Sequence, residues 1–581
     1  MKFEVVHTWA EYNLMKTLEH SIPLIVTASY IFAGPLGMPE PNCFMCLLDN
    51  MKDNGSFLCD VINSTLEAGL PCVLSSLEQA SLEGLDWEKH GIVWMISRRD
   101  FSVEALPIHC HPLRNCTKQA KNEIPPIPNM QAKMDMDKRI KSGRTIFTPE
   151  NDRRLIHRHS GIGLRLYRDT DDKYVPMCFV KSHLLGSHYY SYGRALDLAS
   201  TEMSAKFEML ERYASVVPHG MPTLHGSYAE LMALGYPMVS PRTLTLNKVT
   251  LDVEKSYGFV RYADQDSYRW CPVYELVSGS LHYLPEQVLY YDAQLVSKER
   301  RFIYETSNGC ALGGSYEEAI VYALYELVER DAFLMHWYNR VAPPCFNIER
   351  IHNRALIALV RYLTCIGFEI RMMNITLETG IPAIWVAAID RNHKGGVKCY
   401  NAAGAHLNPE KALEAALVEI ATSISVYDSM VRKGKLDTRL AELLHKPEAV
   451  TNMEDHVYFY ALEGNFPYIK PYYENREILD FTEYFSSWYQ TEDHSSSMGG
   501  FLQHFTAHHP EIYVANMDNC INQELGLYCV KAIVPSLLTM TFGVLNQRLN
   551  LERIQKGAVL AEIRSSEIAV EEINTNPHPF P

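Results

Sequence analysis

Ser204-Ala-Lys-Phe-Glu208-Met-Leu-Glu211-Arg212 and Glu326-Leu-Val-Glu329-Arg330-Asp331 decide how this 581-residue chain is read. The second is preceded by Ser307-Asn308-Gly309-Cys310-Ala311-Leu312-Gly313-Gly314. On a helix, Ser204, Glu208, Glu211 and Arg212 stand at i, i+4, i+7 and i+8 and share one face. Glu326, Glu329 and Arg330 do the same at i, i+3 and i+4. One Glu–Arg pair at i, i+4 is a common surface pairing, worth roughly a few tenths of a kcal/mol. Here Phe207, Met209, Leu210, Leu324, Leu327 and Val328 flank the charges, so both helices read as packed. Unpaired carboxylates are costly in that setting. If the two faces meet, something cationic must lie between them. Oxygen-rich clusters suit Mg²⁺, which takes carboxylates together with substrate phosphates. Arginines grip such phosphates by planar, bidentate contacts.

These segments resemble the YcaO family of ATP-dependent enzymes. The first matches that family's Ser-x-x-x-Glu-x-x-Glu-Arg motif at every position. The second matches its Asn-Gly-x-Ala-x-Gly loop followed by Glu-x-x-Glu-Arg-Asp. Gly404-Ala-His406-Leu-Asn-Pro409 resembles its Gly-x-His-x-x-Pro segment, and the likeness runs from near Leu155 to Pro581. The resemblance implies Glu208, Glu211, Glu326 and Glu329 as magnesium ligands. It implies Ser204, Glu208, Arg212, Asn308, Glu318 and Arg330 as the ATP-binding set. Two departures stand out. The family's Gly-Lys-Gly is replaced by Gly193-Arg194-Ala195, and its Gln-x-x-x-Arg would fall near Thr422–Val426, where neither residue occurs.

The chain closes on Asn576-Pro577-His578-Pro579-Phe580-Pro581. Such a segment reads as a stiff polyproline II rod with little entropy to lose on docking, or as a frayed tail. Within the family, a Pro-x-Pro-x-Pro ending resembles the mark of azoline-forming cyclodehydratases. It implies an arm, Pro577, Pro579 and Pro581, whose terminal carboxylate enters the active site as the catalytic base or orienting group.

Composition bounds the alternatives. Hydrophobic residues make up 47% and charged residues 21%, an ordinary globular balance. A net charge of −15 argues against a nucleic-acid partner. The longest apolar run, Ile22–Leu36, includes Thr27, Ser29 and Gly34 and is too short to span a bilayer. Fourteen cysteines in so long a chain are too sparse for a disulfide scaffold. With no secretory pattern at the start, the expected location is the cytoplasm.

The expected fold class is mixed α/β: a large YcaO-type ATP-binding domain preceded by a small α/β domain. The expected boundaries are 1–123, a linker over 124–150 marked by Ile124-Pro-Pro-Ile-Pro, and 151–581. In the first region, strands are expected at Leu24–Thr27 and Ile92–Ile96 and a helix near Ser56–Leu66. In the last, Tyr174–Val180 and Trp270–Val277 read as strands, and long helices are expected at about 197–215, 315–334 and 410–430. Residues Ile31-Phe-Ala-Gly34-Pro35-Leu and Cys43-Phe-Met-Cys46 resemble part of an E1-like (ThiF-like) partner domain. That likeness implies a zinc site from two Cys-x-x-Cys pairs. Cys43 and Cys46 supply one, and Cys116 begins the second, but its partner position is Gln119. Cys110, His109 or His111 is left to complete the four ligands that structural zinc needs.

The resemblance as a whole implies conversion of Cys, Ser or Thr in a ribosomally made precursor peptide to thiazoline or oxazoline, with ATP and Mg²⁺. The implied partners are the precursor peptide, a separate leader-binding or E1-like protein and a flavin-dependent azoline dehydrogenase. A homodimer is left open. Thioamide formation and a non-catalytic docking scaffold are the alternatives.

Overall fold

The computed structural model describes residues 2–15, 21–34, 44–69, 74–87, 91–114, 127–135, 146–169, 175–220, 223–248, 250, 254–255, 258–392, 396–491 and 495–581. The fold is mixed α/β, as expected. At the N-terminal end, five strands lie in sequence order: Lys2–Val5, Ser21–Val26, Tyr30–Ala33, Ile92–Ser97 and Val103–Pro107. Only the first pair is parallel. Helices Phe44–Asp53 and Phe57–Ala68 pack Phe44, Leu47, Leu58 and Ile62 against Ile25, Phe32 and Val93. Ser56 caps the second helix, and Gly69 ends it in the left-handed conformation at φ 60°.

The segment expected as a linker is partly structured. Lys133–Asp135 pairs antiparallel with Ser495–Ser497. The Asn129 amide donates to Glu317 Oε1 at 2.7 Å. These bonds pin that piece to the C-terminal part of the chain.

Three further sheets carry the rest. A hairpin sheet runs Arg165–Asp169, Met177–Leu184, Ser187–Arg194. Its middle strand starts at Met177, later than the expected Tyr174, which lies outside the described residues. The second sheet joins strands distant in sequence, in the order Leu224–Ser227, Ser267–Glu275, Tyr513–Asn516, Tyr528–Ile533, Cys310–Gly313, with Ser280–Pro285 also paired to Ser267–Glu275. The third runs Cys399–Ala405, Ala383–Asp390, Phe368–Asn374, Cys345–Asn347, Ile478–Asp480.

Three long helices bind the sheets together. The first motif helix, Leu198–Ser215, starts where the Asp197 side chain accepts from the Ser200 amide, and it packs on the hairpin sheet. A Cβ at Gly193 would overlap the Thr201 carbonyl, so glycine sets that close approach. The second motif helix, Tyr316–Asn339, lies between the other two sheets. It runs past the expected end at 334, because Met335, His336, Trp337, Tyr338 and Asn339 are all buried. Arg340, at φ 55°, closes it. The third, Pro409–Arg432, begins under the Asn408 cap with proline in the first turn and lies on Cys399–Ala405.

Candidate active site

The first acidic face is held to its neighbours on both sides. Glu208 Oε2 accepts from the Tyr192 amide at 3.1 Å, and Glu208 Oε1 pairs with Arg212 at 2.8 Å. Burial works against the Arg212 charge, but Glu208 outweighs it and raises the guanidinium pKa. Ser204, Glu208, Glu211 and Arg212 are half-buried on one face.

The second face is tied to the glycine loop. Glu326 Oε2 accepts from the Gly309 amide at 2.7 Å, and Glu326 Oε1 pairs with Arg330 at 2.6 Å. Gly309 has φ +69°, and a Cβ there would also meet the Ala532 carbonyl. Only glycine turns the loop so that this amide faces the helix. Arg330 Nη1 donates to Asn308 Oδ1 at 2.7 Å. Asn308 is itself fixed: Nδ2 donates to the Met540 carbonyl at 2.9 Å and to Glu305 Oε1 at 3.0 Å, while Oδ1 accepts from the Met540 amide at 3.2 Å. Glu305 is buried against Lys531 and Arg548 at 3.6 and 3.2 Å.

The two faces come within electrostatic range. Strand Cys310–Gly313 packs against both motif helices. Burial raises the Glu326 pKa, opposed first by Arg330 and also by Arg212 of the other helix. The Cys310 thiol is pushed up to about 12 by burial, with Glu326 and Glu211 adding to the rise. Burial pushes Glu329 up to about 8; Arg330 opposes, and Glu419 and Glu326 reinforce.

Glu419, on the third helix, was missed by sequence reasoning. It faces Glu329, and it lies 3.7 Å from Arg194, the residue that replaces the family's lysine. The available signal was its place nearly three turns along the helix that follows Gly404–Pro409. Of the sequence-derived residues on the motif helices, Glu318 stands apart. Glu318 accepts from the Gly314 amide at 2.7 Å and belongs to the helix start. It lies about 12 Å along the axis from Glu326 at the usual helical rise.

Five carboxylates, Glu208, Glu211, Glu326, Glu329 and Glu419, thus meet the guanidinium groups of Arg194, Arg212 and Arg330. With Glu329 neutral, four charged carboxylates against three guanidinium groups leave one negative charge, and ionisation of Glu329 when a cation arrives makes it two. Among the described residues no three acidic or cysteine and histidine side chains converge as a ready metal cage. The glutamates are instead turned toward arginines and amides. A donor set of half-buried carboxylates fits Mg²⁺ with a phosphate-bearing ligand better than a closed protein cage, because Mg²⁺ keeps several non-protein ligands.

Two of the three expected zinc ligands lie outside the described residues. Cys43 and Cys116 lie outside them, and Cys46 is buried in helix Phe44–Asp53. Of the candidates to complete the set, His109 bonds the Arg154 carbonyl at 2.7 Å and His111 bonds Asp53 at 3.1 Å.

The proline tail threads into the core beside the second motif helix. Pro577–Phe580 are buried and Pro581 is half-exposed. Phe580 stacks on Phe333 with centroids 3.8 Å apart, within one turn of Arg330. Tyr460 Oη donates to the Pro577 carbonyl at 2.6 Å, and Trp337 Nε1 to that of Asn576 at 3.1 Å. His456 Nδ1 donates to the His578 carbonyl at 2.7 Å.

Burial holds His456 neutral down to about 4 and holds His578 well below the usual imidazole range. The unfolded chain protonates both near pH 6.5, so it binds more protons than the folded chain below that pH. Stability is therefore lost as pH falls from about 6.5 toward 4, by at most about 1.4 kcal/mol per pH unit for each histidine. Thermal melts between pH 7 and 4.5 should show this fall. His456→Gln should flatten the profile, and an unchanged slope in that variant would show that this histidine is not one of the acid-sensitive groups.

A family profile described as YcaO cyclodehydratase, ATP- and Mg²⁺-binding, matches residues 192–538. The chain belongs to the YcaO family. The matched span contains both motif helices, the glycine loop and Glu419, and stops short of the tail. An uncharacterized protein of Methanothermobacter thermautotrophicus is 29% identical over 140 residues, 24% of this chain and 36% of that protein. An uncharacterized protein in the tfuA 3′ region of Rhizobium leguminosarum bv. trifolii is 25% identical over 167 residues, 26% of this chain and 38% of that protein. The chain spans little more than a third of the length of these curated relatives. Among solved structures, a heterocyclase in complex with substrate and cofactor superposes with a TM-score of 0.73 at 18% identity, covering 100% of this chain and 81% of that one. The heterocyclase TruD gives 0.64 at 17% identity, covering 100% and 79%. At such identities the likeness speaks for the YcaO fold alone. No helix among the described residues is long and apolar enough to cross a membrane.

Proposed function

We propose that this chain is an ATP- and Mg²⁺-dependent peptide cyclodehydratase that forms azolines from Cys, Ser or Thr of a precursor peptide. The observation that carries the reading is the meeting of two Glu–Arg faces over one glycine loop.

Ring closure needs three steps. The side-chain thiol or hydroxyl adds to the carbonyl carbon of the preceding residue, and its proton leaves. The resulting hemiorthoamide oxygen takes the γ-phosphoryl of ATP, and the bond to ADP breaks. Loss of phosphate and of the N–H proton then leaves the C=N of the ring. Water is removed in the form of ADP and phosphate from ATP. Bound Mg²⁺ would neutralise phosphate charge in the transfer.

The chain's own residues supply position and charge. Glu208, Glu211, Glu326 and Glu329 would hold a bound Mg²⁺, with Glu419 adding to their field. Arg212 and Arg330, paired here with Glu208 and Glu326, would offer their guanidinium groups to phosphate oxygens. Asn308 aims Arg330, Ser204 contacts the nucleotide, and Glu318 anchors the helix start. The buried tail supports a catalytic arm: Pro577 and Pro579 stiffen it, and the Pro581 carboxylate serves as base for the attacking group or the departing N–H proton. The direct test incubates the chain, a Cys/Ser/Thr-bearing precursor peptide and Mg·ATP, followed by mass spectrometry. Loss of one water per modified residue is the expected result, and exchange of oxygen for sulfur would assign a thioamide enzyme instead.

The N-terminal sheet supports a second expectation. With five strands and four helices among its described residues it is small for both a complete E1-like domain and a leader-binding module. Processing by this chain alone should be slow, and a separate leader-binding protein should stimulate it at least tenfold. Tight leader binding to the isolated chain in fluorescence polarisation would contradict this.

A further inference from the structure

The tail does more in this fold than carry its own end toward the site. His578 lies between two prolines and is 1% exposed. Its Nε2–H donates to the Thr541 carbonyl at 2.9 Å. The residue before Thr541 is Met540, whose amide and carbonyl both bond the Asn308 side chain, at 3.2 and 2.9 Å. Asn308 Oδ1 in turn receives Arg330 at 2.7 Å. Three contacts therefore lead from the tail to Arg330, through one short loop.

The loop is held on its other side by the same device. His456 Nδ1–H donates to the His578 carbonyl, so Nε2 is the acceptor, and it takes the Gly543 amide at 3.0 Å. The two rings lie 4.2 Å apart. Gly543 has φ 85°, so the loop turns there in a way that only glycine accepts freely. Met540, Thr541, His456 and His578 are all buried. Their hydrogen bonds have no water to fall back on, and a lost partner leaves a buried polar group unpaired.

We propose that His578 is a positioning residue for nucleotide binding, acting through Thr541–Met540 and Asn308 to set Arg330. This rests on the assignment of Arg330 and Asn308 to the ATP site. The tail would then be part of nucleotide recognition, and its undocking would loosen the Arg330 grip before any chemistry. The role is separate from that of the Pro581 carboxylate, since it uses a side chain and a backbone carbonyl inside the core.

The test measures Mg·ATP affinity directly, by isothermal titration of the full chain without peptide, together with KM for ATP and kcat on the precursor. His578→Phe keeps a ring and removes the donor; it should weaken ATP binding roughly tenfold, the order expected for a buried polar group left unpaired. His578→Gln restores an N–H at nearly the same reach and should recover most of that affinity. In an Asn308→Ala background, His578→Phe should add nothing, because the path is already cut. An unchanged ATP affinity in His578→Phe, a fall in kcat alone, or full additivity with Asn308→Ala would each overturn the proposal. His578→Leu provides a second donor-free variant; unfolding of both would show a structural residue and overturn it as well. Failure of the parent to bind Mg·ATP would sink the site assignment itself, whereas ATP binding without ring formation would leave this coupling readable and reject only the azoline reading.

Discussion

Glu329→Gln abolishes ring formation and leaves the fold intact: that is the expected result with the largest effect. Glutamine keeps the size of the side chain and removes one anionic ligand. Burial already favours the neutral form at this position, raising the pKa to about 8, so the neutral amide should cost little stability. The catalytic loss is a different matter. The charge is needed only when Mg·ATP occupies the site, where a single electrostatic contact is worth about 100- to 1,000-fold in rate. Glu211→Gln on the opposite face should behave alike, since both faces must neutralise one assembly. The measurement is azoline formation and peptide-dependent ATP hydrolysis, with a thermal melt as the folding control. Parent-like turnover of ATP in either variant would remove that residue from the metal site.

The tail provides the second large effect. Appending residues after Pro581 moves the terminal carboxylate while keeping every proline and His578. Turnover should fall about 100-fold, the order supplied by a positioned acid or base, and ATP affinity should stay near that of the parent. Deleting Pro577–Pro581 removes the carboxylate and His578 together. It also opens the space filled by Phe580 against Phe333 and Trp385. That variant should lose turnover at least as heavily and lose ATP affinity too, though the larger loss remains in turnover. Comparing the two separates chemistry from positioning. An extended enzyme as active as the parent would rule out a catalytic terminal carboxylate. Equal losses of affinity and turnover on deletion would point to a tail that only packs.

Local pattern alone disclosed much of this protein. Spacing of i, i+3 and i+4 put Glu208, Glu211 and Arg212 on one helix face, because 3.6 residues per turn brings those positions together. The long helices expected at about 197–215, 315–334 and 410–430 are present, and the structure shows Asp197, Ser315 and Asn408 capping their starts, where these side chains satisfy amides that the first turn leaves open. The resemblance marked Asn308-Gly309 as a loop, and the structure supplies the reason for its glycine, a positive φ at which a side chain is strained. What each face packs against was not legible. Periodicity reports that a face is buried and is silent about its partner. The strand order that sets Cys310–Gly313 beside Tyr528–Ile533 joins segments more than 200 residues apart. Glu419 opposite Glu329, the Glu305–Lys531–Arg548 group beneath Asn308 and the burial of His578 against Thr541 all arise from such long-range pairings. Composition suggested a stiff tail or a frayed one with equal force. Only the tertiary structure decided between them, because a proline rod stays docked only where a groove, here lined by Phe333, Trp385, His456 and Tyr460, already exists to bury its side chains and receive its carbonyls.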